Sequence, residues 1–453
     1  MIFNDHDTIV AAATPTGGAL CIVRLSGEQA IAICNKVFRG RKSLLEARTA
    51  TLHYGLIVDG EEVVDDVVVS IFRSPHSYTG ENSIEISSHG SRYIVERIIS
   101  LLVEHGARMA EAGEFTRRAF LAGRMDLSQA EAVADMIAAD SRSSHAIAST
   151  QMRGAYSAEL SELRNKLLHI TSLLELELDF SEEDVEFADR GELRQLLTYA
   201  LGRIESLAQS FALGNVLKEG VQVAIAGRPN VGKSTLLNRL AGEERAMVSE
   251  IAGTTRDTVE IMTNIGGVIY RFIDTAGLHT TNDRLEQMGI ERTAEALRKA
   301  RIILWLTDDD STTLEEDLIG YAPAEGQSLY RIITKIDLAE NGSTPTPSHY
   351  PTIRLSARTG EGIEQLQEAL RLAADTTGAY NGEVIVSNRR HYDALHEAGA
   401  SLDAALQALS DGIPTDLISE DIRQAIHHLG FITGEITSED ILQNIFSHFC
   451  IGK

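Results

Sequence analysis

Gly227–Thr235 reads Gly-Arg-Pro-Asn-Val-Gly-Lys-Ser-Thr and follows the apolar run Val221, Val223, Ile225. A G-x-x-x-x-G-K-[ST] pattern between a strand and a helix start is a phosphate-binding loop. Its glycines let backbone N–H groups wrap the anion, and the helix N-terminus adds the positive end of its dipole. Lys233 is placed for the β- and γ-phosphates and Ser234 for Mg2+, with Asn230, Val231, Gly232 and Thr235 completing the nucleotide contacts.

Three further elements follow in an order that fits nucleotide hydrolysis. Thr254-Thr255-Arg256-Asp257 is a polar loop after Ile251-Ala252-Gly253, and Thr255 would join Ser234 on Mg2+. Asp274-Thr275-Ala276-Gly277 ends the apolar strand Tyr270–Ile273. Lys335-Ile336-Asp337 follows the strand Tyr330–Ile333, with Ser356-Ala357-Arg358 later. A carboxylate at Asp337 that accepts both guanine N1–H and the N2 amino group rejects adenine, because the wrong base leaves buried partners unpaired. The set predicts a GTPase domain. Two positions depart from the commonest pattern. Thr334 stands where Asn is usual, and its shorter hydroxyl is expected to give up a bond to the base at about 1 kcal/mol. Leu278 stands where a water-orienting Gln often sits, so another polar group must hold the water.

The elements around these motifs predict a multidomain chain. Residues 1–122 read as α+β, with strands at Ala19–Leu25, Val63–Phe72 and Ser83–Ser87 and helices at Glu28–Phe38 and Ser91–Glu104. Residues 123–217 turn helical, with stripes such as Leu160, Leu163, Leu167, Ile170, Leu174 around the acidic turn Ser181–Asp184. Residues 218–378 alternate strand and helix, which predicts an α/β domain with a parallel sheet, decorated by polar loops at Asp308–Asp310 and Asn341–Pro351. Helices return over 379–453, at Leu417–Leu429 and at Ser438–Phe449, the last opened by a Thr437/Ser438 cap. A single all-α region interrupted by an inserted P-loop domain is the expected arrangement.

Composition narrows the partners. A formal net charge of −25 argues against a generic nucleic-acid surface. Cys21, Cys34 and Cys450 have neither metal-ligand spacing nor a plausible disulfide framework. Met1–Asp7 lacks the basic-then-apolar pattern of a signal segment, and no run approaches the ~18 apolar residues of a membrane span. The expectation is a cytoplasmic protein.

The whole chain resembles the MnmE (TrmE) family of tRNA-modifying GTPases. The resemblance is carried by Asp7–Ala11, Ile22–Gly27, Gly113–Thr116, Met125–Ala132, the GTPase motifs and the terminal Phe449-Cys450-Ile451-Gly452-Lys453. It implies an N-terminal domain that dimerises and binds a 5-formyltetrahydrofolate-type donor through Arg24, Glu85, Arg124 and Lys453. It implies a flavin-dependent partner forming a heterotetramer, and installation of a (carboxymethyl)aminomethyl group at C5 of the tRNA wobble uridine. It further implies that Glu286 holds the attacking water, and that K+ bound by Asn230 and the loop carrying Ser249, Ile251 and Thr254 replaces an arginine finger. Each residue also has a plain reading: Arg24 and Arg124 as surface charges, Glu85 as a solvent-facing strand residue, Asn230 as a turn residue and Glu286 as a solvated helix residue. Cys450 is either a small buried hydrophobe or a tail thiol near the folate and uridine, catalytic as a nucleophile.

Overall fold

A computed structural model of the chain describes residues 7–179, 189–243, 260–274, 295–308, 322–324, 326–338, 348–374 and 384–452. It divides into two compact units. One comprises Met1–Ala134, Gln151–Leu193 and Gln407–Lys453, the other Asp135–Thr150 and Arg194–Leu406.

The first unit opens with β1 (Ile9–Ala12), β2 (Leu20–Ser26), α1 (Ala30–Val37), β3 (Phe38–Gly40), β4 (Thr51–Asp59), β5 (Glu62–Phe72), β6 (Ser83–His89), α2 (Arg92–Glu104), β7 (Arg108–Met109) and α3 (Glu114–Leu121). The strands form one sheet in the order β3-β4-β5-β6-β2-β1-β7, antiparallel except for β1 beside β7. Val23, Leu25, Val67, Val69, Ile84 and Ile86 point to one face and bury themselves under Ile33 of α1 and Ile98 and Leu102 of α2. Period-two alternation puts the intervening residues, Arg24 and Glu85 among them, on the opposite face. Cys21 and Cys34 lie inside this core, and burial pushes the Cys34 thiol up to about 12.

An ion network closes the unit beside β1. Arg118 donates to the Asp7 carboxylate at 2.6 Å, to Glu114 at 2.9 Å and to Glu81 at 3.2 Å. Arg108 reaches Asp7 and Glu114, each at 2.7 Å. Burial alone would raise Asp7 and Glu114, but hydrogen bonds from the two arginines outweigh it and hold both carboxyls below their ordinary range.

The helices that follow are α4 (Leu127–Ala138), α5 (Arg142–Met152), α6 (Ala155–Asp179) and α7 (Arg190–Glu219). After them come β8 (Val221–Gly227), α8 (Lys233–Glu243), β9 (Glu260–Ile265), β10 (Val268–Asp274), β11 (Ile302–Thr307), β12 (Ser328–Ile333), β13 (Thr352–Arg354) and α9 (Ile363–Ala373). Their sheet runs β13-β12-β11-β8-β10-β9 and is parallel apart from the edge strand β9, as the alternating pattern predicts. Val223, Ile225, Leu236, Leu240, Leu366 and Leu370 pack on one face; Ala224, Ala226, Ile303 and Leu329 pack with Leu297 on the other. The chain ends in α10 (Arg389–Ser410), α11 (Thr415–Thr433) and α12 (Glu439–Ser447). Within the first unit α11 packs along α6 and α12 against α3.

Several expectations need adjustment. The helix expected over Leu417–Leu429 spans Thr415–Thr433, and Ser438 occupies the N-cap of α12 without a side-chain capping bond. The acidic turn Ser181–Asp184 lies outside the described residues, as do most of the two polar loops of the α/β domain.

The ion network gives a pH dependence of definite sign. Depressed carboxyls stabilise the fold above the unfolded values of about 4 and lose that contribution as pH falls through their lower folded values. Thermal melting followed by circular dichroism should therefore be level from neutrality to the carboxylate range and decline below it. Arg118→Met leaves Glu81 without its arginine and Asp7 and Glu114 with Arg108 alone, and should cost about 3 kcal/mol at neutral pH; an unchanged melting point would contradict this reading of the network.

Candidate functional site

β8 delivers the chain to the phosphate loop. Gly227 (φ +138°), Asn230 (φ +64°) and Gly232 (φ +100°) adopt left-handed backbone, turning the loop sharply before α8 begins at Lys233. Val231 is buried beneath the loop, while Asn230, Ser234 and Thr235 are exposed. The Lys233 ammonium folds back onto its own loop, donating to the carbonyls of Gly227 at 2.5 Å and Arg228 at 2.8 Å. A cation held across the loop is where a β/γ-phosphate needs one.

The base-reading residues hang from the next strands. Asp337, exposed on a single 3-10 turn, accepts from the Ser356 hydroxyl at 2.6 Å, which fixes one carboxylate oxygen. Lys335 (φ +56°) pairs with Asp308 at 2.7 Å, a partner that the motif spacing did not single out. Ala357 is half-buried and Arg358 exposed beside them. Thr334 has a different job from the one expected. Its hydroxyl is buried and reaches the Val231 carbonyl of the phosphate loop at 2.5 Å and Thr307 O at 3.2 Å. Having one proton, it donates to the nearer, so it braces the base-reading loop on the phosphate loop rather than meeting the base. Asp274 ends β10. Ser249, Ile251, Thr254, Thr255, Thr275, Ala276, Gly277, Leu278 and Glu286 lie outside the described residues.

In the first unit the sheet face opposite the core carries a second constellation. Arg24 on β2 donates twice to one Glu85 oxygen on β6, at 2.8 and 3.0 Å, and to the Gly452 carbonyl at 3.4 Å. Its guanidinium lies between the rings of Tyr78 and Phe115, 5.5 and 5.7 Å from their centroids. Arg24 and Glu85 are thus partners, not separate solvated charges. Arg124 is exposed just past α3, with its side-chain carbons beside Gly80 in the loop that carries Tyr78. The tail reaches this place because Ile451 bridges Ala112 in antiparallel fashion and Phe449 is buried with Phe446 and Leu127. Gly452 (φ +97°) passes so close to β1 that an added Cβ would lie 2.3 Å from Ala12 O. Cys450 is exposed, which overturns the buried-hydrophobe reading. Lys453 lies outside the described residues. Tyr78 and Phe115 escaped sequence reasoning; Phe115 sits in Gly113–Thr116, but nothing local says its ring meets an arginine.

A parallel sheet with a phosphate loop after one strand, and a Lys-x-Asp braced onto that loop from another, defines a P-loop GTPase domain. Comparison with known proteins narrows this class. The profile described as GTP-binding protein TrmE N-terminus matches residues 8–124, and that of the MnmE helical domain matches residues 127–450. The tRNA modification GTPase MnmE of Bacteroides fragilis is 48% identical over 99% of this chain and 100% of its own length. That of Christiangramia forsetii is 46% identical over 99% of both. Among solved structures, the G domain of the T. maritima FeoB iron transporter covers 34% of this chain and 98% of its own, at 26% identity and a TM-score of 0.26. The chain belongs to the MnmE family of tRNA modification GTPases.

The brace is separable from base recognition by mutation. Thr334→Val keeps the shape, removes the hydroxyl and leaves the Val231 carbonyl without it; GTP affinity should fall about fivefold to tenfold, and Thr334→Ser should restore it. Asp337→Asn should instead shift preference from guanine to xanthine nucleotides. Titration with fluorescent nucleotides decides; equal affinities for wild type and Thr334→Val would remove the brace from the account.

Proposed function

We propose that this GTPase is potassium-activated and works as a homodimer. With a flavin-dependent partner in a heterotetramer, it installs a (carboxymethyl)aminomethyl group at C5 of the tRNA wobble uridine, in the cytoplasm. The observation that carries the proposal is the coexistence in one chain of the braced phosphate loop and the Arg24–Glu85–Gly452 cluster. The division of labour follows 1–122 for folate binding and dimerisation, 123–217 and 379–453 for the helical region, and 218–378 for GTP. The family profiles, which meet between residues 124 and 127, support the first boundary. Among the described residues no helix is long and apolar enough to cross a membrane.

In the GTPase site the chain's task is to position an in-line attack of water on the γ-phosphorus, releasing GDP and phosphate. Lys233 offsets charge on the β/γ oxygens, and the exposed Ser234 hydroxyl suits Mg2+ together with Thr255. Developing charge still needs a further cation. The exposed Asn230 amide oxygen suits K+, with Ser249, Ile251 and Thr254 completing the oxygen ligands. Glu286 orients the water.

In the first unit, the donor set fits a reduced folate. Such a ring presents an amide-like edge to a carboxylate, here Glu85, and its glutamate tail suits Arg124 or Lys453. The folate supplies a one-carbon unit when bound. Arg24 pairs with Glu85 and ties the tail through Gly452 O, keeping Cys450 within the same unit for nucleophilic work on the uridine.

GTP turnover at matched ionic strength tests the hydrolytic half. Wild type should be faster in potassium than in sodium chloride, and Asn230→Ala should erase that difference. Glu286→Ala should lower kcat by roughly 10²-fold with little change in nucleotide affinity. Equal wild-type rates in both salts would refute potassium activation, and an active Glu286→Ala would refute its role.

A further inference from the structure

β9 and β10 form a hairpin whose two ends have different neighbours. At the open end, β9 starts three residues after Asp257, and β10 finishes on Asp274. Asp274 is level with Ile225, two residues before the phosphate loop begins at Gly227. At the closed end, Ile265 pairs with Val268 across Gly266 (φ +65°) and Gly267 (φ +89°). Two consecutive left-handed residues make the tight two-residue turn that matches strand twist, which explains the Gly-Gly. Asn264 Oδ1 accepts from the Gly267 N–H at 2.9 Å and fixes the turn further. β10 is seven residues long, so the ends are about 20 Å apart at ~3.3 Å per residue.

The closed end holds a helix that lies outside the GTPase domain in sequence. Gly267 O accepts the Ser143 hydroxyl at 3.0 Å and the Ser143 N–H at 3.4 Å, in the first turn of α5. First-turn N–H groups of a helix have no partner within it and need an outside acceptor. Ser141 supplies one, accepting the Ser144 N–H at 3.0 Å; the hairpin turn supplies the next. One turn along, Ile147 is buried in the same apolar cluster as Ile261, Ile265 and Val268 of the hairpin. Polar cap and apolar contact therefore seat the start of α5 on the hairpin.

We infer that the β9–β10 hairpin is the mechanical output of the GTPase, and that Ser143 is the positioning residue that couples it to α5. The strand ends next to the nucleotide motifs respond to the γ-phosphate, and a two-residue turn cannot absorb a strand shift, so the shift reaches Gly267 O and the helix it caps. Linkage makes the binding side of this coupling reciprocal, so seating of α5 shifts the relative affinities for GTP and GDP; through the same strand ends it shifts the population competent for hydrolysis.

The inference rests on the GTPase reading, and one experiment on the full-length protein separates the two. Hydrogen–deuterium exchange of peptides covering residues 141–150 is compared with GDP and with the non-hydrolysable GMPPNP bound, alongside GTP turnover. Wild-type amides of the first turn of α5 should exchange at rates differing at least about threefold between the two nucleotides. Ser143→Ala should speed their exchange about fivefold, the worth of one hydrogen bond, and flatten the nucleotide difference. It should change kcat while KM holds, and Ser143→Thr should behave as wild type. Asn264→Ala, which frees the turn from the other side, should flatten the difference too if Ser143→Ala proves unstable. Absence of GTP turnover in wild type would overturn the GTPase reading itself. Turnover with identical exchange in both nucleotides would overturn the coupling alone.

Discussion

Parallel pairing of neighbouring strands is the constraint on which the nucleotide site depends. In register, Gly227 at the end of β8 stands beside Leu306 of β11, and Thr307 of β11 beside Ile333 of β12. The carboxyl ends of three strands therefore open on one edge, the usual ligand side of such sheets. Motifs roughly a hundred residues apart in the chain become neighbours because of it. The Thr334 bond to Val231 then joins them directly, so the loop that reads phosphate and the loop that reads the base share one support.

The same economy governs the first unit. Its sheet hides one face under α1 and α2, which leaves the other free to present Arg24 and Glu85. Two aromatic rings hold the guanidinium, and the tail is held through backbone groups at Ile451 and Gly452. That fixation leaves no room for a side chain at one position: at Gly452 an added Cβ would meet a strand carbonyl. Nearby, the Arg108–Arg118 network fixes Asp7 and Glu114, so β1, whose Ala12 carbonyl faces the tail, is itself anchored by charge.

Much of this was legible in the sequence where chemistry is local. Phosphate-loop spacing, the Asp337 position and the alternation that gives a parallel sheet all sit in short windows. What escaped is non-local. Thr334 reads as a weakened base contact because its acceptor is Val231, far away in sequence. β4 was missed because its exposed Leu52 and Tyr54 sit on the face away from the core, blurring the polar–apolar alternation. Phe115 is fully buried and also packs its ring against the Arg24 guanidinium, a contact between residues far apart in the chain. Cys450 follows a buried phenylalanine and yet is exposed, a difference of one residue that no hydrophobic pattern encodes.

In the proposed function one chain couples GTP hydrolysis to chemistry organised by its N-terminal sheet. Mass spectrometry of wobble nucleosides tests it most directly, in cells lacking this protein and complemented with wild type, Lys233→Ala or Arg24→Ala. The (carboxymethyl)aminomethyl nucleoside should disappear without the protein and return with wild type. Neither variant should restore it, although each leaves the other site intact. Full modification supported by Lys233→Ala would contradict the coupling, and full modification in cells lacking the protein would contradict the function itself.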